Sequence, residues 1–374
     1  VKTEDHVMAA GHSLDPAHWQ EAFEGLMARI AGHFARVEPR RRVRRLVLGL
    51  LSDLPRKNGW TIAEWAGEST PDGMQHLLSR AKWDADAVRD ALRGYVVEHL
   101  HDERAVLVVD ETGDVKKGVG TVGVQRQYTG TAGRIENAQV AVYMVYAGRR
   151  GHAAVDRELY IPRSWTADPD RCRAAGLGEQ TAFATKPELA ARMVARFLDA
   201  GHRAAWVAGD EVYGGNPKLR AVLEERGTSY VLAVACSHEA ATGAGTFRAD
   251  ALAKKVPKRA WQKLTAGTGA KGHRFYDWAV IDLAAPPPRK QPAADPPQSQ
   301  HWRTRLLPLL LARRSAAGRV GASRWIKVAG GGVLPVRKRP GRSGRAPGPP
   351  LRVLVPPGHP RHARPCLPRC RPSR

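Results

Sequence analysis

Apolar residues recur at helical spacing through residues 19–34, and that interval predicts an amphipathic helix. A second helix is predicted over 84–100, where Val88, Leu92, Tyr95, Val96 and Leu100 fall on one face. Between them, 61–66 reads as a short helix ended by Gly67. Ser69-Thr70-Pro71 reads as the start of another, with proline in its first turn. The pair fits either a helix-turn-helix or a plain helical hairpin. At Ala105 the pattern changes. Residues 105–110 are a continuous apolar run closed by a carboxylate, which predicts a buried strand. Residues 122–129 and 138–146 are two further β-rich runs, separated by a glycine-containing turn at 130–133. Thr185-Lys186-Pro187-Glu188 is a capping box that opens a helix reaching residue 200. Residues 204–210 form another buried strand closed by aspartate. Asn216-Pro217 opens a helix to 226, and 229–235 is a fifth strand. Three strands, helix, strand, helix, strand predicts antiparallel neighbours first and parallel crossovers later. The fold class is therefore α/β, a mixed sheet with flanking helices. Residues 246–283 read as strand-like and loop-rich, without helical periodicity.

Charge divides the chain further. Lys and Arg number 60 against 36 Asp and Glu, a net charge of +24. No acid follows Asp295, yet 18 of the basic residues do. The last stretch is rich in Pro, Arg and Gly, and such a composition cannot bury enough apolar surface to offset the entropy of ordering. Three regions follow: 1–104, a helical region whose basic cluster makes it a candidate for binding DNA; 105–283, the α/β domain with the start of a β-rich insertion; and 284–374, a basic tail expected to be disordered. The first residues are polar and acidic rather than a secretory signal. The longest apolar run, 306–312, is broken by Pro308 and too short to span a bilayer. Four cysteines (Cys172, Cys236, Cys366, Cys370) give no secreted disulfide framework. A cytoplasmic, nucleoid-associated protein with a polyanionic partner is expected, with no membrane partner. Arg40, Arg41, Arg42, Arg44 and Arg45 form the basic cluster of the helical region.

Asp110 closes the first predicted strand and Asp210 the fourth. In open α/β sheets the carboxyl ends of strands gather at the functional edge. Two carboxylates meeting there repel unless a cation lies between them, and hard divalent ions prefer such oxygen ligands. The plain alternative is that each aspartate caps a helix or forms a turn.

The peptide context bears on that choice. Val108-Val-Asp-Glu-Thr-Gly-Asp-Val-Lys-Lys-Gly118, residues 122–137, Asp156-Arg-Glu-Leu-Tyr-Ile-Pro-Arg-Ser-Trp165 and Ala208-Gly-Asp-Glu-Val-Tyr-Gly-Gly-Asn-Pro217 resemble the DDE transposases of bacterial insertion sequences. The resemblance runs from about residue 21 to 283. It implies an RNase H-like catalytic domain whose first two acids are Asp110 and Asp210. It also implies Mg²⁺ or Mn²⁺ as cofactor, DNA cleavage and strand transfer at element ends, and action as a homodimer. Glu111, Asp114, Lys116, Lys117, Arg126, Arg134 and Tyr213 lie near the acids in sequence. They read either as DNA or ligand contacts or as solvated surface.

One departure stands out. The family carries a third acid, a glutamate on a late helix in a segment resembling Arg324-Trp325-Ile326-Lys327-Val328-Ala329-Gly330. Here alanine and glycine stand at the acidic positions. Residues 333–348 can be back-translated so that a one-base shift yields a less basic sequence of the kind the family carries there. A change of reading frame near residue 330 accounts for both the missing acid and the altered composition. The expectation is a degenerate transposase. Its rivals are a non-catalytic DNA-binding remnant that binds element ends or represses an intact copy, and a metal-dependent nuclease without strand transfer. Two further patterns are read as incidental: the zinc-like spacing of His359, His362, Cys366 and Cys370 as chance, and Gly267-Thr-Gly-Ala-Lys-Gly272 as a turn rather than a phosphate loop.

Overall fold

A computed structural model describes residues 15–269, 272–283, 308–314 and 325–330. The chain forms two compact units. One comprises Val1–Ala208 with Lys218–Arg226, the other Gly209–Pro217 with Gly227–Arg374.

The first unit opens with five helices: α1 (Pro16–Ala31), α2 (Val37–Leu51), α3 (Gly59–Trp65), α4 (Asp72–Ser79) and α5 (Ala85–Leu100). Local signals set their starts. Asp15 accepts from the Ala17 amide ahead of Pro16, Asn58 and Thr61 form a capping box, and Asp84 accepts from the Asp86 and Ala87 amides. Ile30, Phe34, Leu77 and Val88 make the core of this helical region, with Leu92 and Trp83 against it. Phe34 bridges to Trp83 in backbone and stacks on its ring at 5.3 Å.

The sheet of this unit follows: β1 (Val106–Val115), β2 (Gln125–Thr129), β3 (Arg134–Gly148), β4 (Gly151–Leu159) and β5 (Trp206–Gly209). β3 is the long central strand. β1 pairs antiparallel along one edge of it, and β2 and β4 pair antiparallel along the other. β5 lies beside β1, where the Ala205 and Trp206 amides donate to the Ala105 carbonyl at 2.8 and 3.4 Å. Two short helices, α6 (Arg163–Thr166) and α7 (Pro169–Ala174), follow β4, and α8 (Lys186–Asp199) covers one sheet face. The Thr185–Glu188 capping box starts α8 as expected. Its buried stripe of Leu189, Ala190, Met193, Val194 and Phe197 lies over β1, β3 and β4. The last helix, α10, runs Pro217–Glu225.

In the second unit α9 (Glu211–Gly214) rests on β6 (Tyr230–Val234). A β7–β8 hairpin (Glu239–Thr242, Gly245–Arg248) leads to α11 (Ala249–Lys255) and then to β9 (Gln262–Gly269) and β10 (Gly272–Asp282). Strands β11 (Pro308–Arg314) and β12 (Trp325–Gly330) complete the antiparallel order β6-β12-β11-β10-β9.

The architecture is the α/β mixed sheet with flanking helices that the sequence predicts, preceded by a helical region. Four details differ. β1 continues five residues past Asp110, because the polar stretch 111–115 pairs with β3 across from Ala138–Val142. β4, whose sequence is dense in charge, is an additional strand. The stretch 246–283 contains α11. Within the segment expected to be disordered, Pro308–Arg314 and Trp325–Gly330 are strands. The rest of that segment, including His359, His362, Cys366 and Cys370, lies outside the described residues. Gly269 pairs with Gly272, so Gly267–Gly269 belongs to the end of β9 and Gly272 to the start of β10.

Candidate active site

Asp110 stands in the middle of β1, in register with Tyr143 on β3, and is exposed. The expectation that it closes the strand is corrected: its neighbours continue the ladder, and the carboxylate projects from a sheet face rather than from an end. Alternation along β1 explains the division of labour. Leu107, Val109 and Gly113 are buried on one face, while Asp110 and Asp114 share the opposite one. The Asp110 Oδ1 accepts from the Glu111 amide at 2.8 Å. Glu111 turns the other way and meets the Lys186 ammonium at the start of α8, 2.8 Å away. Gly113 is required by close packing. A Cβ there would lie 2.2 Å from the Thr129 hydroxyl oxygen.

Asp210 directly follows β5 and is the N-cap of α9 in the second unit. Its Oδ1 accepts from the Val212 amide at 2.9 Å. The capping alternative is thus realised for Asp210. Tyr213 is fully buried. Gly214 touches β6 so closely that a Cβ would sit 1.8 Å from the Ala233 carbonyl oxygen. The Val-Tyr-Gly-Gly stretch therefore holds α9 against its strand.

The basic candidates divide by what they already bind. Arg40 donates from Nε and Nη2 to the Phe34 carbonyl, at 3.0 and 2.9 Å. Arg42 and Arg45 lie 3.6 and 3.5 Å from Glu68, and Arg44 pairs with Glu24. Arg41 is exposed and has no partner among the described residues. Lys116 pairs with Asp114, and Arg134 with Glu136 at 2.7 Å. Lys117 and Arg126 are exposed without an ion pair among the described residues. Asn137 ties the β1–β2 loop down by donating to the Lys116 and Gly118 carbonyls at 2.8 and 3.0 Å.

Sequence reasoning missed the most buried ionic group. Asp156 on β4 is 0% exposed at its side chain and meets Arg93 at 3.0 Å, Arg196 at 2.9 Å and Arg89 at 3.5 Å. Glu158 adds a 2.7 Å contact to Arg196. Burial alone would lower the Arg196 pKa, but its hydrogen bonds to Asp156 and Glu158 outweigh that and hold it above the usual range. For Arg93, burial dominates and lowers it. The signal available was charge inside the Asp156-Arg-Glu-Leu stretch.

Among the described residues no group of three or more His, Cys, Asp or Glu is arranged to hold a metal ion. Each of the two candidate acids is a hard donor of the kind such an ion prefers. Asp110 and Asp210 offer hard carboxylate oxygens, each with one oxygen engaged by a main-chain amide. Strand β12 occupies Trp325–Gly330, the stretch that resembles the family's third-acid segment, and it pairs with β6.

The fold is an α/β mixed sheet with flanking helices, and Asp110 is an exposed carboxylate on its strand β1. The chain belongs to the family described as DDE superfamily endonuclease, whose profile matches residues 29–306. It is 33% identical over 196 residues, 52% of its own length, to a protein of Microchaete diplosiphon described as a probable transposase for insertion sequence element IS701. The match covers 48% of that relative, so the chain spans about half its length. Proteins of this superfamily generally use divalent metal ions. Among the described residues no helix is long and apolar enough to cross a membrane.

Proposed function

We propose that this chain is a degenerate insertion-sequence transposase of the DDE type, descended from an enzyme that cleaves DNA and transfers strands at element ends. The observation that carries the reading is the family match over 29–306, which spans both Asp110 and Asp210. Asp110 and Asp210 are the proposed metal-binding acids. A bound Mg²⁺ or Mn²⁺ supplies charge neutralisation and activation of the attacking water or 3′-hydroxyl. Asp110 and Asp210 would each serve as a carboxylate ligand for such an ion, and the basic residues (Arg41, Lys117 and Arg126 foremost, with Arg40, Arg42, Lys116 and Arg134) would hold DNA phosphates. The partners are insertion-sequence ends and target DNA. The protein acts as a homodimer in the cytoplasm, associated with the nucleoid.

The lack of any acid after Asp295 favours a second reading, a non-catalytic remnant that binds element ends or represses an intact copy. One set of measurements on the full chain separates them. The transposase reading expects salt-sensitive DNA binding, weak Mn²⁺-dependent nicking and no efficient strand joining. It also expects Mn²⁺ binding, followed by electron paramagnetic resonance, that is lost in Asp110→Asn and Asp210→Asn while DNA binding persists. DNA binding with no Mn²⁺ uptake and no nicking leaves the remnant. Efficient joining of pre-cleaved ends overturns the degeneracy.

A further inference from the structure

The β2–β3 hairpin carries an exposed apolar pair that the fold does not use. Tyr128 is 63% exposed and Ile135 58%, and the two are in register across the hairpin, so they lie side by side on one face. Among the described residues the Tyr128 ring contacts no other ring and its hydroxyl makes no hydrogen bond. Arg126, two residues earlier on the same strand, shares that face and is in register with Asn137. Asn137 also pins the loop that presents Lys117. Counting along β3 by twos from Ile135 reaches Tyr143, with no bulge between them, and Tyr143 is in register with Asp110. The Tyr–Ile pair and the Asp110 carboxylate therefore lie on one face of one sheet, about 26 Å apart along the strand.

The chemistry of this patch is selective. Cations at Arg126 and Lys117 with an open aromatic face suit a polyanion that also offers flat apolar rings. A duplex keeps its base faces inside the stack and presents none to Tyr128. An unpaired stretch presents them, and base–aromatic stacking is the common device for holding single strands.

We propose that Tyr128, backed by Ile135 and flanked by Arg126, is a stacking platform for an unpaired nucleotide of the DNA strand that runs along this face toward Asp110. The proposal rests on the DNA-acting reading above and adds that the strand is unpaired at a defined distance from the reacting phosphate.

The test uses the full chain and two DNAs of the same sequence, a blunt duplex and a duplex with a short unpaired tail containing 2-aminopurine. Tyr128→Ala is expected to weaken binding of the tailed DNA by about ten-fold and to leave blunt duplex binding unchanged. Tail fluorescence, quenched on binding the wild type, should stay unquenched with Tyr128→Ala and be quenched again with Tyr128→Phe. Equal weakening of both DNAs, or of neither, overturns the platform. So does a Tyr128→Ala protein that loses self-association in sedimentation while binding both DNAs as before. If the wild type binds neither DNA, the DNA-acting reading itself fails and the platform with it.

Discussion

Asp102, in the turn before β1, shows how one buried carboxylate is held ionised. It is 4% exposed. Its carboxylate accepts from the Arg149 amide at 2.8 Å, from the Arg104 amide at 2.9 Å and from the Arg149 guanidinium at 2.9 Å. Those bonds bring its pKa down to about 2, the Arg149 amide contributing most. The folded value lies below the unfolded one, so the stabilisation is fully present above about pH 4. It is lost as pH falls through that value toward the folded pKa of about 2. Unfolding by urea should therefore become easier between those limits. Asp102→Asn should cost about 1–3 kcal/mol at neutral pH and flatten that part of the acid limb. An unchanged acid limb in the variant would show that another carboxylate controls it. The residue pairs with a turn rather than with the site, so DNA binding at pH 7 should be untouched in the folded fraction.

At the scale of elements, the docking of α5 on β4 depends on the Asp156 cluster. Arg93 sits on the side of α5 that meets β4, and its side chain is 1% exposed. Asp156 answers it from β4, with Arg196 of α8 on its other side. Removing the anion leaves Arg89 and Arg93 with Asp90 and Arg196 with Glu158, and takes away the buried charge that all three arginines share, whereas removing Arg93 leaves Asp156 still paired with Arg196 and Arg89. Asp156→Asn should thus destabilise by about 3–5 kcal/mol, and Arg93→Met by clearly less. Urea midpoints of the two variants decide it, and the reverse order would mean that packing of the Arg93 stem, not charge, holds α5. This cluster also marks where sequence reading stops. Helices α1, α5 and α8 were legible because caps and apolar spacing act within a few residues. β1 and β5 were legible as apolar runs. β4 was not, since its charges are neutralised by residues 40 to 63 positions away in the chain, and local pattern assigns such a stretch to solvent. The end of β1 was missed for a related reason. Polar residues 111–115 stay in the ladder because β3 is long enough to pair with them. Asp110 and Asp210 were legible as candidates, but their local settings were not. One lies on an exposed strand face and the other caps a four-residue helix.

Across the whole chain, positive charge and fold are separable, and the segment after Asp295 allows the separation to be measured. Of the 18 basic residues that follow Asp295, 11 lie beyond Gly330, after the last described strand. The other seven accompany β11 and β12, which stand between β6 and β10 in the second unit. Ending the chain at Gly330 removes charge without removing a described strand. Ending it at Asp295 removes both strands and leaves the ladder groups of β6 and β10 unpaired, an open invitation to aggregation. The two truncations should therefore diverge. The chain ending at Gly330 should melt cooperatively near the full-length temperature and bind DNA with a shallower dependence of log K on log salt, each lost phosphate contact reducing the slope by about 0.9. The chain ending at Asp295 should precipitate or melt without cooperativity. A Gly330-ended chain with an unchanged salt slope would assign phosphate binding to the front of the molecule, to Arg41, Lys117 and Arg126. A soluble, cooperative Asp295-ended chain would show that β11 and β12 add nothing to the second unit's stability.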